Sequence, residues 1–249
     1  MGGEAEVAPA RALAASAWAF RWQVEVEASG RFERLADRLE QTGAAAELVA
    51  LAQRSAADER RHAGLCAEQA ALRGQDGPWT GAAPPPEIAP GGLPLRERVL
   101  YELVAGCCIA ETASVAVLTA LLEAARGTEL QRVLRALARD EVQHARLGWA
   151  ALTVARRESD VAFLSPFLPA MLGGHVDPDL YAPVTAERED PALLEHGVLP
   201  HRLQRTLFER SLREVILPGL ERLGVEVLPA RRWLAEQRAG ARRLGVAPA

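Results

Sequence analysis

The 249-residue chain contains no lysine and no asparagine. Without a lysine amine it cannot form a Schiff base, which excludes pyridoxal phosphate held as an internal aldimine. Aromatic residues are only 5% of the sequence. β-Branched residues never gather into alternating runs, so strands are not expected. No stretch of 18 or more apolar residues reads as a membrane span, and Met1–Arg11 lacks a charged-then-apolar leader pattern. Cysteine is sparse: Cys66, Cys107 and Cys108 are the full set. Adjacent cysteines on a helix point about 100° apart and pair poorly. An odd count without framework spacing predicts reduced thiols in a cytoplasmic protein.

Hydrophobic residues at 49% and charged residues at 25% can support a buried core. Ala, Leu, Arg and Glu dominate, and all four favour helix. The net charge is -4. The arginines are scattered among Asp and Glu at helical spacing, which reads as solvated faces and ion pairs. No contiguous basic patch calls for nucleic acid.

Four long helical patterns precede residue 160. They run from about Pro9 to Gln41, Ala44 to Leu72, Leu95 to Gly127 and Thr128 to Arg157. Gly43, Gly74 and Gly127 close three of them, where a left-handed C-cap needs glycine. Tight turns join the first pair and the second pair. Between the pairs lies Gly74 to Pro94, too rich in Gly and Pro for helix and long enough to run the length of a bundle. Two hairpins with one long crossover predict an all-α four-helix bundle over residues 9–158. The hairpins also resemble each other: Glu47 precedes Glu59 by the interval that separates Glu129 from Glu141, which places equivalent residues pseudo-symmetrically.

Residues 159–249 read as a C-terminal helical extension. Pro166 and Pro169 interrupt one short apolar segment. An amphipathic stretch from His201 carries Leu203, Leu207, Leu212 and Ile216, and Pro218 is expected to kink or end it. This portion packs on the bundle or forms a subunit interface, as in a homodimer.

Two motifs carry the chemistry: Asp58-Glu59-Arg60-Arg61-His62 and Asp140-Glu141-Val142-Gln143-His144. Residues three apart share a helix face, so Glu59 with His62, and Glu141 with His144, can each grip a metal. Both pairs lie on apolar stripes, one with Leu48, Leu51, Ser55 and Cys66, the other with Leu134, Leu137 and Gly148. Carboxylates on a core face are costly unless paired or metal-bound. A dinuclear site explains both pairs, with one further Glu from each remaining helix. On the third helix Glu111 sits centrally among Val104, Cys107, Ser114, Leu118 and Leu121. On the first, Glu25 shares its face with Trp18, Trp22, Phe32 and Leu39. The alternative, Glu27, shares its face with Gln23, Arg31, Arg34 and Arg38, so the face argument favours Glu25. Asp58 and Asp140 suit acceptance of a ligating histidine's ring N–H.

This pattern, Glu25, Asp58-Glu59-x-x-His62, Glu111 and Asp140-Glu141-x-x-His144, resembles the ferritin-like superfamily of di-iron carboxylate proteins over residues 9–158. "EVEASGRFERL" and "GCCIAETASVAVL" look like a group of ferritin-like bacterial proteins. The resemblance implies two carboxylate-bridged irons and chemistry with O2 or peroxide. The resulting expectation is a non-haem di-iron oxidoreductase that oxidises a small organic substrate. The alternative is a ferroxidase or iron-handling protein. Manganese or a mixed Mn/Fe centre suits the same ligands, and a zinc-bound or vacant relative with an interaction role is a third reading. His175, His196 and His201 read as ordinary loop or cap residues, the three cysteines as buried small hydrophobes, and Trp18 and Trp22 as core. Tyr101 lies about 15 Å along the helix from Glu111, which weakens a tyrosyl-radical role.

Overall fold

The computed structural model describes residues 4–77, 79, 85–175 and 179–247. Among these residues every regular element is helical and none is a strand. Helix α1 spans Glu4–Gln41, so it starts before Pro9 and carries that proline inside. Helix α2 spans Ala46–Leu72. Gly43 sits at φ 72° and lets the chain reverse between them, with the Ala44 N–H donating to the Leu39 carbonyl at 2.9 Å. Gly74, at φ 98°, closes α2 in the same left-handed way.

Helix α3 runs continuously over Leu95–Ala124, and its stretch Leu103–Glu111 is wound as wide π turns. Helix α4 spans Thr128–Glu158. Here the glycine expectation fails at one position. Gly127 does not close α3, which ends in an extended Ala125. It serves as the N-cap of α4 at φ −87°, a conformation that needs no glycine. α1 packs on α2, α3 on α4, and α2 on α4, forming a helical bundle. The crossover after α2 is non-helical where it is described, and residues 78 and 80–84 of it lie outside the described residues. Arg34 on α1 pins its far end by donating to the Pro85 carbonyl at 2.8 Å. Arg38 joins Glu87 of the crossover to Glu102 of α3, the latter at 2.8 Å.

α3 corrects one reading of the sequence. By length and composition alone it is long and apolar enough to cross a membrane, although no such stretch was expected. Two of its acidic residues face partners: Glu102 is buried against Arg38, and Glu111 approaches α4.

The segments after α4 pack back onto the bundle. Two 3-10 turns, Ala162–Phe167 and Pro191–His196, flank helix α5 (Leu168–His175). Helix α6 starts as His201–Ser211, passes through a π turn at Leu212–Ile216 and continues as Leu217–Arg222. Pro218 therefore does not end it. The wide turn absorbs the missing N–H, and proline stands at the start of the next α-helical stretch. Helix α7 spans Leu228–Arg243. α6 lies on α3, and the Pro191–His196 turn lies on α1. There the Trp18 indole N–H donates to the His196 carbonyl at 2.8 Å. Gly197, at φ 75°, follows directly; a Cβ on it would meet Leu130 at 2.8 Å and Trp18 at 2.9 Å.

Helices α3 and α4 approach closely at Gly148 of α4. A Cβ there would stand 2.6 Å from Cys107 Cβ and 2.9 Å from the Cys108 backbone nitrogen. An exposed Gly→Ala change in a helix normally stabilises by up to about 1 kcal/mol. Here overpacking reverses the sign. Gly148→Ala should destabilise the protein by about 1–3 kcal/mol, read as a lower urea midpoint. A midpoint equal to or above that of the unaltered protein would show that α3 and α4 do not meet this closely.

Candidate metal centre

The paired motifs fall on the inner faces of α2 and α4 because apolar residues recur there at helical spacing. Glu59, His62, Glu141 and His144 are all buried, with His62 and His144 fully so. The two rings lie 5.8 Å apart between centroids. Each histidine presents Nδ1 to the carboxylates. His62 Nδ1 is 3.1 Å from Glu59 and 3.8 Å from Glu141; His144 Nδ1 is 3.0 Å from Glu59 and 3.1 Å from Glu141. Glu59 and Glu141 thus stand between both imidazoles.

The remaining helices add one glutamate each. Ligand atoms of Glu25, Glu59, His62 and Glu141 lie within 4.8 Å of one another, and so do those of Glu59, Glu111, Glu141 and His144. The two sets share Glu59 and Glu141. Glu25 stands close to Glu59, and Glu111 close to Glu141. Glu27 stays outside: Gln23 donates to it at 3.1 Å and Arg31 pairs with it at 3.7 Å. These buried Glu and His groups can hold a metal ion.

Asp58 and Asp140 reach histidine, but across the hairpins and not within their own motifs. Asp140 faces His62 Nε2 at 3.3 Å, while Asp58 lies 3.5 Å from His144 Nε2. The first contact is braced. Arg61 donates to Asp140 at 2.6 Å and Arg139 at 2.9 Å. Arg61 also pairs with Asp58 at 2.9 Å. The second contact falls outside hydrogen-bonding geometry, leaving His144 Nε2 buried without a partner. Arg61 and Arg139 escaped the sequence reading. Arg61 lies three residues after Asp58 within the motif, and that spacing is the signal that could have found it.

Electrostatics follow from this crowding. Burial, then the carboxylate of Glu59, pushes Glu25 well above the usual range; burial, then Glu141, does the same to Glu111. Burial also acts to raise Glu59, but its contacts with His144, His62 and Glu25 outweigh it and hold Glu59 low. Burial would lower His144; its contacts with Glu141 and Glu59 prevail and raise it to about 11. His62 is raised in the same way, against burial, chiefly by Glu59. Asp140 is held down at about 2, since Arg139, His62 and Arg61 outweigh its burial. The thiols are different. Burial alone accounts for the rise of Cys108 and leads for Cys66, raised to about 12, so they remain protonated and inert.

The enclosure is uneven. Glu25 and Glu111 are only half-buried as whole side chains, though their carboxyl groups are desolvated. A cleft of about 430 Å³, counting its open mouth, has Glu111 in its lining. Phe32, Leu35, Ile88, Gly106 and Ala110 make its walls, and Arg31 stands among its lining residues. Phe32 also packs on His144, with centroids 5.2 Å apart.

Raised pKa values on Glu25, Glu111, His62 and His144 favour their protonated forms when no cation is present. A divalent metal must displace those protons. Loading metal at about pH 7 should therefore release protons, and apparent affinity should strengthen between about pH 6 and about pH 8. Calorimetry in buffers of different ionisation enthalpy reads both; a pH-independent affinity would contradict the account. For the metal-free protein the sign also follows from His144. Its contribution to stability is complete below the ordinary histidine pKa and is lost as pH rises towards 11. Asp140→Asn should weaken metal binding by about 10–100-fold with helicity unchanged by circular dichroism.

No family model, curated protein or solved structure matches this chain, so a functional reading rests on the geometry of this cluster.

Proposed function

We propose that the chain is a non-haem di-iron oxidoreductase of ferritin-like architecture that oxidises a small organic substrate with O2 or peroxide. One observation carries the reading: six ligand side chains from four helices meet in two overlapping sets that share Glu59 and Glu141. Four carboxylates and two neutral imidazoles balance the charge of two divalent cations. Hard oxygen donors combined with imidazole suit iron or manganese.

Two irons held there would supply the redox chemistry, with an external electron donor returning them to the ferrous state after each turnover. The protein's own groups do the rest. Glu25, Glu59, His62 and Glu141 would hold one ion, and Glu59, Glu111, Glu141 and His144 the other. Asp140, fixed by Arg61 and Arg139, keeps the His62 ring oriented with Nδ1 inward. Phe32 and the walls of α3 and α4 exclude water, which confines a reactive centre. The cleft that Glu111 helps to line would admit a substrate to that side of the cluster.

Protein purified without chelator should carry about two irons per chain by elemental analysis, given the two ligand sets. The ferrous form should consume O2. Glu59→Ala with Glu141→Ala should abolish both. Iron-loaded, folded protein that takes up no O2 would sink the proposal, and many irons per chain in a hollow assembly would assign it to iron handling instead. A second check uses the cleft. A Cβ on Gly106 meets nothing within 4 Å, so Gly106→Leu should fill the passage, preserve iron content and lower turnover of any substrate found.

A further inference from the structure

A second cleft lies entirely within the C-terminal portion and shares no residue with the metal centre. It encloses about 560 Å³, counting its open mouth, between the turn at Tyr181, helix α6 and helix α7. Arg205, Glu209 and Arg238 line it together with Tyr181, and Arg242 joins them on α7.

Two buried donors in this cleft have no acceptor. Arg205 is only 3% exposed. Its Nη2 donates to the carbonyl of Ala247, but Nη1 is buried without a partner. The Tyr181 hydroxyl is likewise buried and unpartnered. Burial, followed by the Glu209 carboxylate, raises its pKa and keeps the phenol a donor. Arg238 engages one oxygen of Glu209, Oε2, through Nε at 2.8 Å and through Nη2. Three guanidinium groups thus face one carboxylate, and the lining carries excess positive charge. A buried charged donor without an acceptor is costly. A cleft lined by both residues, with a surplus of guanidinium groups, suits something that brings oxygen atoms and negative charge.

We propose that this cleft binds a small oxyanion, a carboxylate or a phosphate, carried on a short apolar body. The oxyanion accepts from Arg205 Nη1 and the Tyr181 hydroxyl, as guanidinium groups recognise both anion types. The body rests against Ala241 and Val246, which supply the apolar part of the lining. Arg242, exposed on α7, attracts the anion from solvent. The ligand ties the Tyr181 turn, α6 and α7 together without touching the metal ligands.

The test is calorimetric titration of the full chain with two probes, inorganic phosphate and butyrate, against sodium chloride of matched ionic strength. Saturable binding of at least one probe is expected. The probe that binds more tightly identifies the anion type. Arg205→Gln should weaken it about tenfold or more, the loss of a charge-assisted hydrogen bond, and Tyr181→Phe several-fold. Tyr181→Phe removes one oxygen from an otherwise unchanged ring, so it remains informative if Arg205→Gln fails to fold. Metal content should not change in either variant. Absence of saturable binding of both probes to the unaltered protein, or unaltered affinity in Tyr181→Phe, would overturn the proposal.

Discussion

Four carboxylates share one small volume from which water is largely removed, and the rest of the bundle is arranged around that constraint. Like charges so close cannot all persist without compensation. The histidines supply part of it, since Glu59 and Glu141 each have both imidazoles for neighbours. Protons on Glu25 and Glu111 supply the remainder when no cation is present. Packing then has to hold four helices in register around an intrinsically repulsive cluster. The cores of Trp18, Leu134 and Leu137 on one side and Phe32, Leu103 and Leu147 on the other do so.

Much of this was legible in the sequence because helical periodicity translates directly into faces. Glu25 and Glu27 are two residues apart, and only the apolar company of Glu25 distinguishes them; in the structure Glu25 stands in the cluster and Glu27 pairs with Arg31. The Glu-x-x-His pairs were visible for the same reason. Other features depend on contacts between segments distant in sequence. Nothing in the Asp-Glu-x-x-His spacing tells Asp140 to serve His62 rather than His144. The role of Arg139 depends on where α2 lies. Gly127 looked like a cap for the preceding helix because residue type alone does not reveal which helix a glycine serves.

The C-terminal portion was the least legible. Its prolines suggested breaks, yet the π turn before Pro218 lets α6 continue across one. Its attachment uses backbone groups, such as the His196 carbonyl that accepts from Trp18, and these leave no trace in residue type. Small residues also matter there. A Cβ on Gly219 would stand 2.7 Å from the ring of Trp149, so the seam between α4 and α6 depends on a missing side chain. The hairpin pseudo-symmetry is likewise incomplete: His62 has a braced carboxylate behind it and His144 does not.

The winding of α3 has a mechanical consequence. Glu111 closes the stretch Leu103–Glu111 in which each turn holds more residues than an α-helix does. The direction in which its carboxylate leaves the helix is therefore set by the accumulated angle of every wide turn before it. Tightening that stretch to ordinary α-helical pitch would rotate Glu111 about the axis and withdraw its carboxylate from the cluster. The same rotation would reshape the wall that Gly106 and Ala110 give to the neighbouring cleft, so coordination and access are geared to a single helical coordinate.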